Sequence, residues 1–388
     1  MPIYKLPGKK DGLQKYRVRI NYRDSLGQPH QIDRVTFGSE EAKILEMQLL
    51  HDLKDDSPAR NLTVRQLYDE WCRVKKYEIR ESTLEKTRRV LEFHVLPVFE
   101  NVKLKDLDMK RMSVWKLEME SKKSAKGGGP LALRTKQHVY KDFRALLNYA
   151  VKMDYISKNP LVKLGNFKDP NYIKKDMNFY TDKEFFEYIS AAKEKAVTDE
   201  NNGFMSTWDY YVFFMIAFFT GMRKGEIYAL TWNDVNLNKG YVYVRRSLAQ
   251  KIKGPDRVTP PKTKSSIRTL QLPSALISVL NEHLDRWKKN RGFRKTFHIC
   301  GGEKPVRDSS LENHNKMFAK LAGVHKIRIH DFRHSHVSLL AAKGVNIQEI
   351  ARRLGHSDIE MTWNTYSHLY PNEEEKAVKI LNDIDFNV

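Results

Sequence analysis

The first part of the chain alternates between polar and apolar positions. Residues 15–20 (KYRVRI) place an apolar side chain at every second position, and residues 31–37 form a second run of this kind. This is the period of a half-buried strand. Ser39 is a suitable helix N-cap, and two glutamates and an amphipathic stretch follow it. The pattern therefore predicts a small β-sheet plus one helix over residues 1–58.

The spacing of apolar residues then changes to that of helices. Apolar side chains recur at intervals of three and four in four successive segments, the last of which covers residues 133–152. That segment has an apolar stripe on one face and basic side chains on the remaining surface. The pattern predicts an all-α domain over residues 59–165. A polar, proline-containing linker over residues 166–178 is expected to follow.

A capping box at Thr181 opens the last segment, residues 179–388. Its most apolar run, residues 210–219, is about half of the roughly 20 residues that a membrane-spanning helix needs, so we expect a buried core helix. Alternating runs at residues 241–246 and 268–272 predict a small antiparallel sheet. Helical patterns fill most of the remainder. The prediction is a mainly α domain with a small antiparallel β-sheet.

Composition adds a candidate partner. The chain of 388 residues is too long for one ordinary core, and its 69 Lys and Arg against 48 Asp and Glu give a net charge of +21. Such an excess indicates a polyanionic partner, most commonly nucleic acid, although a ribosomal-type scaffold or a membrane-surface binder has the same property. Cys72 and Cys300 form no CxxC motif, and the N-terminus has no apolar segment. We therefore expect a protein of a reducing cytoplasm without a secretory signal.

Three short motifs near the C-terminus bring reactive side chains together in sequence. They are HDFRH at residues 330–334, LGHS at residues 354–357 and TYSH at residues 365–368. A tyrosine oxygen can attack a phosphodiester, and arginine and histidine can stabilise the developing negative charge. His330 and Arg333 stand three residues apart and would share one helix face. One tyrosine among 18 is weak support alone, so the hypothesis rests on the set.

These motifs resemble the C-terminal signature of the tyrosine recombinases, the lambda-type integrases. TGMRKGE at residues 220–226 resembles the first arginine box of that family, and PKTKS at residues 261–265 resembles its lysine box. The layout of the whole chain is similar to that of integrases from phages and conjugative transposons. The resemblance implies the tyrosine recombinase fold, with an arm-DNA-binding sheet domain, a core-binding helical domain, and a catalytic domain with a C-terminal tail.

The resemblance also implies an activity. We expect a site-specific DNA recombinase that integrates or excises a mobile element through a 3′-phosphotyrosine intermediate and a Holliday junction, with no metal, cofactor or ATP. A type IB topoisomerase-like enzyme is the enzymatic alternative, against which the extra sheet domain argues. A non-catalytic DNA-binding protein that retains the fold is the alternative from another class.

The partners follow from the same resemblance. They are double-stranded DNA with core attachment sites and separate arm sites, and three further copies of the chain in a homotetramer on DNA. The segment 373–388 would dock on a neighbouring protomer, and an excisionase or DNA-bending protein remains open. No membrane is expected, and the location is the cytoplasm of a bacterial host, on the nucleoid.

The resemblance assigns roles to individual residues. Tyr366 would be the nucleophile, and Arg223 and Arg333 would clamp the non-bridging phosphate oxygens, for which a guanidinium is suited. Glu226 would brace Arg223 or the adjacent backbone. His356 would donate a hydrogen bond to a phosphate oxygen from a helix N-terminus formed by a capping box at Ser357–Glu360.

Two further assignments leave alternatives. His330 is a proton acceptor for the tyrosine, which the resemblance favours, or a second phosphate ligand. Lys262 rather than Lys264 is the candidate general acid for the leaving 5′-oxygen. His334 and His336 are expected to be structural, since the order HExxH of a zinc site is missing. Predicted DNA contacts outside the catalytic set are Arg17, Arg19, Arg23, Arg134, Lys136, Lys141, Arg144 and Lys264.

Overall fold

The computed structural model describes residues 3–23, 29–55, 61–124, 128–172, 177–250, 256–259, 264–370, 378–379 and 381–383. At residues 23, 51–55, 264, 361 and 368 it describes the backbone alone. The chain divides into two compact units, Met1–Ile173 and Lys174–Val388. The division falls inside the linker predicted over residues 166–178. Within the first unit, the sheet and the helical bundle have separate hydrophobic cores.

The N-terminal sheet has three antiparallel strands in the order β1-β2-β3. Its elements are β1 (Ile3–Lys10), β2 (Leu13–Arg23), β3 (Pro29–Phe37) and α1 (Ser39–Asp55). Val18 and Ile20 on β2 are buried with Ala42 of α1, so this helix covers one face of the sheet. Sequence analysis missed β1, because Pro7 and Gly8 interrupt its alternation and the register shifts there.

The helical bundle contains the four predicted helices and two short ones. They are α2 (Val64–Glu78), α3 (Glu81–His94), α4 (Leu96–Phe99), α5 (Met109–Ser121), α6 (Leu133–Lys152) and α7 (Pro160–Leu164). The core is aromatic at its centre, where the rings of Phe99, Trp115 and Phe143 lie 5.2 to 6.1 Å apart. Thr63 caps α2 through a capping box with Gln66, as the helical pattern from this point predicts.

The second unit is mainly helical, with eight helices in the described residues. They are α8 (Asp182–Asn201), α9 (Thr207–Thr220), α10 (Lys224–Tyr228), α11 (Ser274–Lys288), α12 (Asp308–Leu321), α13 (Asp331–Ala342), α14 (Ile347–Leu354) and α15 (Ile359–Tyr366). The segment 373–388, predicted to dock on a neighbouring protomer, lies largely outside the described residues.

Two small sheets accompany these helices. Strands β4 (Val235–Asn236), β5 (Tyr241–Val244) and β8 (Arg268–Gln271) form an antiparallel sheet in the order β4-β5-β8. Strands β6 (Ser247–Ala249) and β7 (Arg257–Thr259) form a separate hairpin. The predicted strand at residues 241–246 ends at Val244, and the chain then leaves this sheet to form β6, which pairs with β7. The predicted architecture of sheet domain, helical domain and mainly α catalytic domain is confirmed.

Helix α9 is apolar on all sides and passes through the core of the second unit. It ends at Gly221, which adopts the left-handed conformation with φ 62°. A Cβ at this position would lie 2.6 Å from the ring of His336 on α13. A glycine is therefore required for the end of α9 to approach α13 this closely. No helix among the described residues is both long and apolar enough to cross a membrane.

The bundle core generates a stability prediction. Phe143 is fully buried, so Phe143→Ala should lower the free energy of unfolding by about 3–5 kcal/mol through lost burial and a residual cavity. Leu117 on α5 is 71% exposed, and Leu117→Ala should change this free energy by less than about 0.5 kcal/mol. Chemical denaturation of both variants is the measurement. Equal losses for the two would contradict the assigned core.

Candidate active site

The site is organised by a buried carboxylate between two arginines. Glu226, only 4% exposed, accepts a hydrogen bond from the backbone N–H of Arg223 at 2.9 Å and one from its guanidinium at 3.0 Å. On its other side Glu226 accepts two hydrogen bonds from the guanidinium of Arg268, at 2.9 and 3.3 Å. Burial raises the pKa of Glu226, but Arg268 and then Arg223 outweigh burial, and the pKa lies below its ordinary value. The carboxylate is therefore ionised and fixes both arginines.

Arg268 continues this network toward the third motif. Its side chain is 4% exposed and donates from Nε to the carbonyl of Arg353 at 2.6 Å, and from a terminal nitrogen to the carbonyl of Ser266 at 3.1 Å. A Cβ at Gly355 would lie 2.9 Å from Arg268, so the glycine of the LGHS motif lets the loop close onto this arginine. The arginine box, β8 and the LGHS loop are thus held together by one ion pair and its neighbours.

Arg333 is buried on the first turn of α13. Its terminal nitrogens donate to the carbonyls of Gly221 and Leu354, both at 2.8 Å. These carbonyls end α9 and α14, so two helix ends aim this guanidinium. Burial and Arg223 lower the pKa of Arg333 to about 9, which leaves the side chain a cation at neutral pH. Arg223, whose side chain is 40% exposed, supplies a second, more accessible guanidinium.

His356 lies beside Arg333. Its Nε2 accepts from Arg333 at 2.7 Å, and its Nδ1 lies 2.7 Å from Thr362 Oγ1. Since arginine can only donate, this contact places the proton of the neutral ring on Nδ1, which donates to the threonine. Burial and Arg333 lower the pKa of His356 to about 4. A hydrogen bond from Nε2 to a phosphate oxygen therefore requires this nitrogen to gain a proton.

The helix that follows His356 begins differently from the prediction. The N-cap of α15 is Asp358, which accepts from the N–H of Glu360 at 2.9 Å, and no capping box forms at Ser357. The expected capping box was wrong because the helix begins one residue later, where the carboxylate of Asp358 is the capping acceptor. His356 nevertheless lies just before the N-terminus of this helix.

Tyr366 occupies the last turn of α15 and is 3% exposed. Its Oη lies 2.5 Å from Nδ1 of His334 on α13. Burial raises the pKa of Tyr366 to about 12, and burial together with His330 lowers the pKa of His334 to about 4. At neutral pH the phenol is therefore protonated and donates to a neutral imidazole.

This contact corrects the sequence analysis at two positions. His330 was favoured as the proton acceptor for the tyrosine, whereas the residue that contacts Tyr366 is His334, which was expected to be structural. The ring of His330 lies edge-on to that of His334 at 5.2 Å and is exposed at the rim. Burial and Arg333 lower its pKa. The role of His330 stays a prediction.

The lysine box lies mainly outside the described residues. Lys262 is not among them, and the side chain of Lys264 is not described. The described end of this segment is the 3-10 turn Lys264–Ser266. Its Ser266 Cα would lie 3.1 Å from a Cβ at Gly355, so the segment returns to the LGHS loop. The role of Lys262 stays a prediction.

One predicted DNA contact is wrong. Lys136 is buried, forms an ion pair with Glu120 and lies 5.9 Å from the centre of the Phe167 ring. Its side chain is turned into the bundle, because position 136 belongs to the apolar stripe of α6 through Val139 and Phe143 rather than to its outer surface.

The other predicted basic residues of α6 come together. Arg134, Lys141 and Arg144 are exposed and line a concave surface of about 330 Å³, together with His138 and Asn166. A concave surface with three guanidinium or ammonium groups fits a phosphate backbone.

The sheet residues share one face. Arg17 and Arg19 alternate with the buried Val18 and Ile20, so they lie opposite α1. Arg19 forms a bidentate pair with Asp33 on β3 at 2.9 and 3.1 Å, and its charge is therefore matched within the sheet. The side chain of Arg23 is not described.

Sequence analysis missed Arg268, Thr362 and the role of His334. Arg268 carried a signal, because it takes an inward position of strand β8 together with Leu270, and an inward arginine requires a buried anion. Thr362 and His334 carried none, since nothing in the sequence fixes which side chains turn toward the histidine or the tyrosine.

His336 packs inside the second unit. His336 is buried against α9 with Nδ1 2.7 Å from the carbonyl of Phe218, and burial and Arg353 lower its pKa to about 3. In the described part of the chain, no group of three or more His, Cys, Asp or Glu side chains converges in a way that could hold a metal ion.

The ion network generates a prediction with a defined pH dependence. Glu226→Gln leaves Arg268 buried without an anion and should cost about 3–5 kcal/mol of unfolding free energy at pH 7. Because the folded-state pKa of Glu226 is depressed, its contribution is present above the ordinary glutamate range and is lost as pH falls through the folded pKa. The difference between wild type and variant should therefore shrink on acidification.

Urea denaturation at several pH values measures this difference. Glu187→Gln, at an exposed position of α8, is the matched control and should show neither the loss nor the pH dependence. A constant difference between wild type and Glu226→Gln from pH 7 to pH 3 would contradict the assigned ionisation.

Comparison with known proteins agrees with this geometry. Residues 187–373 match the model of the phage integrase family, and residues 63–115 match the N-terminal SAM-like domain of phage integrases. The chain is 30% identical over 264 residues to the ICEBs1 integrase of Bacillus subtilis (strain 168), covering 66% of this chain and 67% of that protein.

Solved structures share the fold. The Tn1549 transposon integrase in complex with transposon right end DNA has a TM-score of 0.63 at 19% identity, over 83% of this chain and 99% of that one. A lambda integrase dimer bound to a COC′ core site has a TM-score of 0.55 at 16% identity, over 96% and 95%. With the arginines, histidines and tyrosine in one site, the conclusion is that this chain belongs to the phage integrase family of tyrosine recombinases.

Proposed function

We propose that this protein is the recombinase of a mobile DNA element, and that it cuts and rejoins DNA at the site built around Tyr366. The observation that carries the proposal is a buried tyrosine on α15 that is contacted by α13, the same helix that presents a buried arginine. His334 contacts the tyrosine, and its neighbour Arg333 contacts His356. A nucleophile and a phosphate clamp are thereby held by one rigid element.

The first chemical step is attack of Tyr366 Oη on the scissile phosphorus. The P–O5′ bond breaks, and the DNA remains attached through a 3′-phosphotyrosine. This covalent bond conserves the energy of the broken one, so that another strand rejoins without ATP. Arg223 and Arg333 hold the non-bridging oxygens, where negative charge increases in the transition state.

The remaining residues act on protons and on the same oxygens. His330 at the rim and His356 beside Arg333 contribute to binding of the phosphate. Lys262 donates a proton to the departing 5′-oxygen. Lys262 lies outside the described residues, and its assignment is supported by the resemblance of PKTKS to the lysine box.

DNA binding outside the catalytic site is assigned to two parts of the first unit. The concave basic surface of α6 takes phosphates of the core site, and the exposed face of the N-terminal sheet takes a separate arm site. Lambda integrase has been captured as a tetramer bound to a Holliday junction. We extend this assembly to the present chain, whose net charge of +21 requires DNA or counter-ions before four copies can gather.

The nucleophile has a direct test. The protein is incubated with a nicked duplex carrying the junction of the element ends, which traps the covalent complex, and the adduct is resolved by denaturing electrophoresis. Tyr366→Phe should abolish the adduct, since it removes only the attacking oxygen, while retention of the DNA in a mobility-shift assay is kept. An adduct that persists in Tyr366→Phe contradicts the assignment. Relaxation of plasmids that lack the junction would instead favour a topoisomerase.

The basic surface of α6 has a second test. Arg134→Gln, Lys141→Gln and Arg144→Gln should each weaken DNA binding, and each should reduce the slope of log affinity against log salt concentration by about 0.9. Lys110→Gln, at an exposed position of α5 away from this surface, is the matched control. Equal slopes for all four variants would show that this surface does not contact DNA.

A further inference from the structure

We propose that His334, oriented by Asp331, accepts the proton of Tyr366 when the tyrosine attacks DNA. This inference rests on the proposed function and adds a catalytic residue to it. His334 Nδ1 lies 2.5 Å from Tyr366 Oη, which is the distance of a direct proton transfer. The transfer needs no intervening water and no movement of either helix.

The surroundings of Nε2, the other ring nitrogen of His334, determine which of the two nitrogens carries the proton. His334 Nε2 lies 3.9 Å from Asp331 Oδ1, too far for a hydrogen bond in the neutral state but within reach of an ion pair once the ring is protonated. The fully buried Asp331 is itself held by Arg328, which donates to its carboxylate at 2.8 and 2.9 Å. The carboxylate favours a proton on Nε2 and leaves the Nδ1 lone pair for the phenol.

Burial, and after it the groups around the ring, keep His334 neutral before DNA binds. His330, Arg328 and Arg333 lie around His334 and oppose its protonation, while Asp331 favours it. A phosphate bound at the arginines would offset part of this positive charge. The basicity of His334 should therefore rise when the substrate is in place, which is when a proton acceptor is needed.

The difference between the pKa values of Tyr366 and His334 determines when the proton is transferred. The pKa of Tyr366 is about 12 and that of His334 about 4, so the proton does not move in advance of the reaction. It moves as the new O–P bond forms, because the oxygen becomes acidic when it bonds to phosphorus.

The step is balanced and reversible. The Oη–H bond breaks and the Nδ1–H bond forms; the Oη–P bond forms and the P–O5′ bond breaks, with Lys262 protonating O5′. In the rejoining step a 5′-hydroxyl attacks the phosphotyrosine and gives its proton back to Lys262, and His334 returns its proton to Tyr366 as the phenol leaves. The same residue therefore serves both halves of the reaction.

A purely structural histidine, which only holds the phenol in place, is the alternative. It predicts that removal of His334 weakens the site evenly at all pH values. If His334 is a proton acceptor, hydroxide or an added base should be able to replace it.

The structural role and the proton-acceptor role can be separated by measuring the rate of adduct formation on a duplex whose scissile 5′-oxygen is replaced by sulfur. This leaving group departs without a proton, and the step at Lys262 is bypassed.

On this substrate, His334→Gln should slow adduct formation by about 10²–10⁴-fold, whereas Lys262→Ala should approach the wild-type rate. The rate of His334→Gln should rise about tenfold per pH unit above pH 7, while the wild-type rate stays flat. Added imidazole should restore His334→Ala. His330→Gln, the matched variant on the neighbouring histidine, should keep the flat profile and should not respond to imidazole.

Asp331→Asn tests the positioning contact. The carboxylate supports protonation of His334, so its loss should slow the reaction and move the acid limb of the pH–rate profile to lower pH. Thermal unfolding and DNA retention verify that each variant is folded, and His334→Asn replaces any variant that is not.

Two outcomes overturn the proposal. One is a wild-type rate in His334→Gln and His334→Asn. The other is a reduced rate that is flat with pH and insensitive to imidazole. In both cases Tyr366→Phe still lacks the adduct if the proposed function holds. An adduct in Tyr366→Phe, by contrast, would overturn the function itself.

Discussion

The ion pair between Glu226 and Arg268 is the contact on which the catalytic geometry depends. Both side chains are 4% exposed, so neither charge could be buried without the other. Through this pair the N-terminus of α10, strand β8 and the loop after α14 are fixed to one another, since Arg268 also binds the carbonyl of Arg353. Arg333 then reaches that loop through the carbonyl of Leu354. A single buried carboxylate thus supports a site assembled from distant segments.

The same arrangement concentrates positive charge in the site before the substrate binds. One carboxylate, Glu226, stands against three arginines, and burial followed by repulsion between the cations lowers the pKa values of Arg333 and His356. This repulsion opposes stability in the free protein and is relieved when a phosphodiester binds. Because the donors are already aimed by backbone carbonyls, little reorganisation is needed as charge develops on the phosphate oxygens. The neutral histidines keep the site from carrying still more charge.

Sequence predicted the fold and the identity of the motifs well, because those depend on local patterns. Helix α6 has the predicted bounds, since its apolar stripe and flanking signals are strong. Failures occurred where tertiary packing decides. Lys136 was misplaced because the edge of a helical stripe is ambiguous by one position, and its ion-pair partner Glu120 lies on another helix. His330 and His334 are one turn apart, and only the placement of α15 shows which of them meets the tyrosine.

Helix α13 carries both halves of the reaction on adjacent residues. Arg333 points to the ends of α9 and α14, and His334 points to Tyr366, because neighbours on a helix diverge by about 100°. The nucleophile itself rests on a small cluster, with Val337 and Leu354, that is separate from the main core of the unit. Since this cluster includes residues of α13 and α14, the nucleophile packs on the same two helices whose ends surround Arg333. The hydrogen bond to His334 adds a polar contact between α15 and α13, so the attacking oxygen and the phosphate clamp are both positioned from α13.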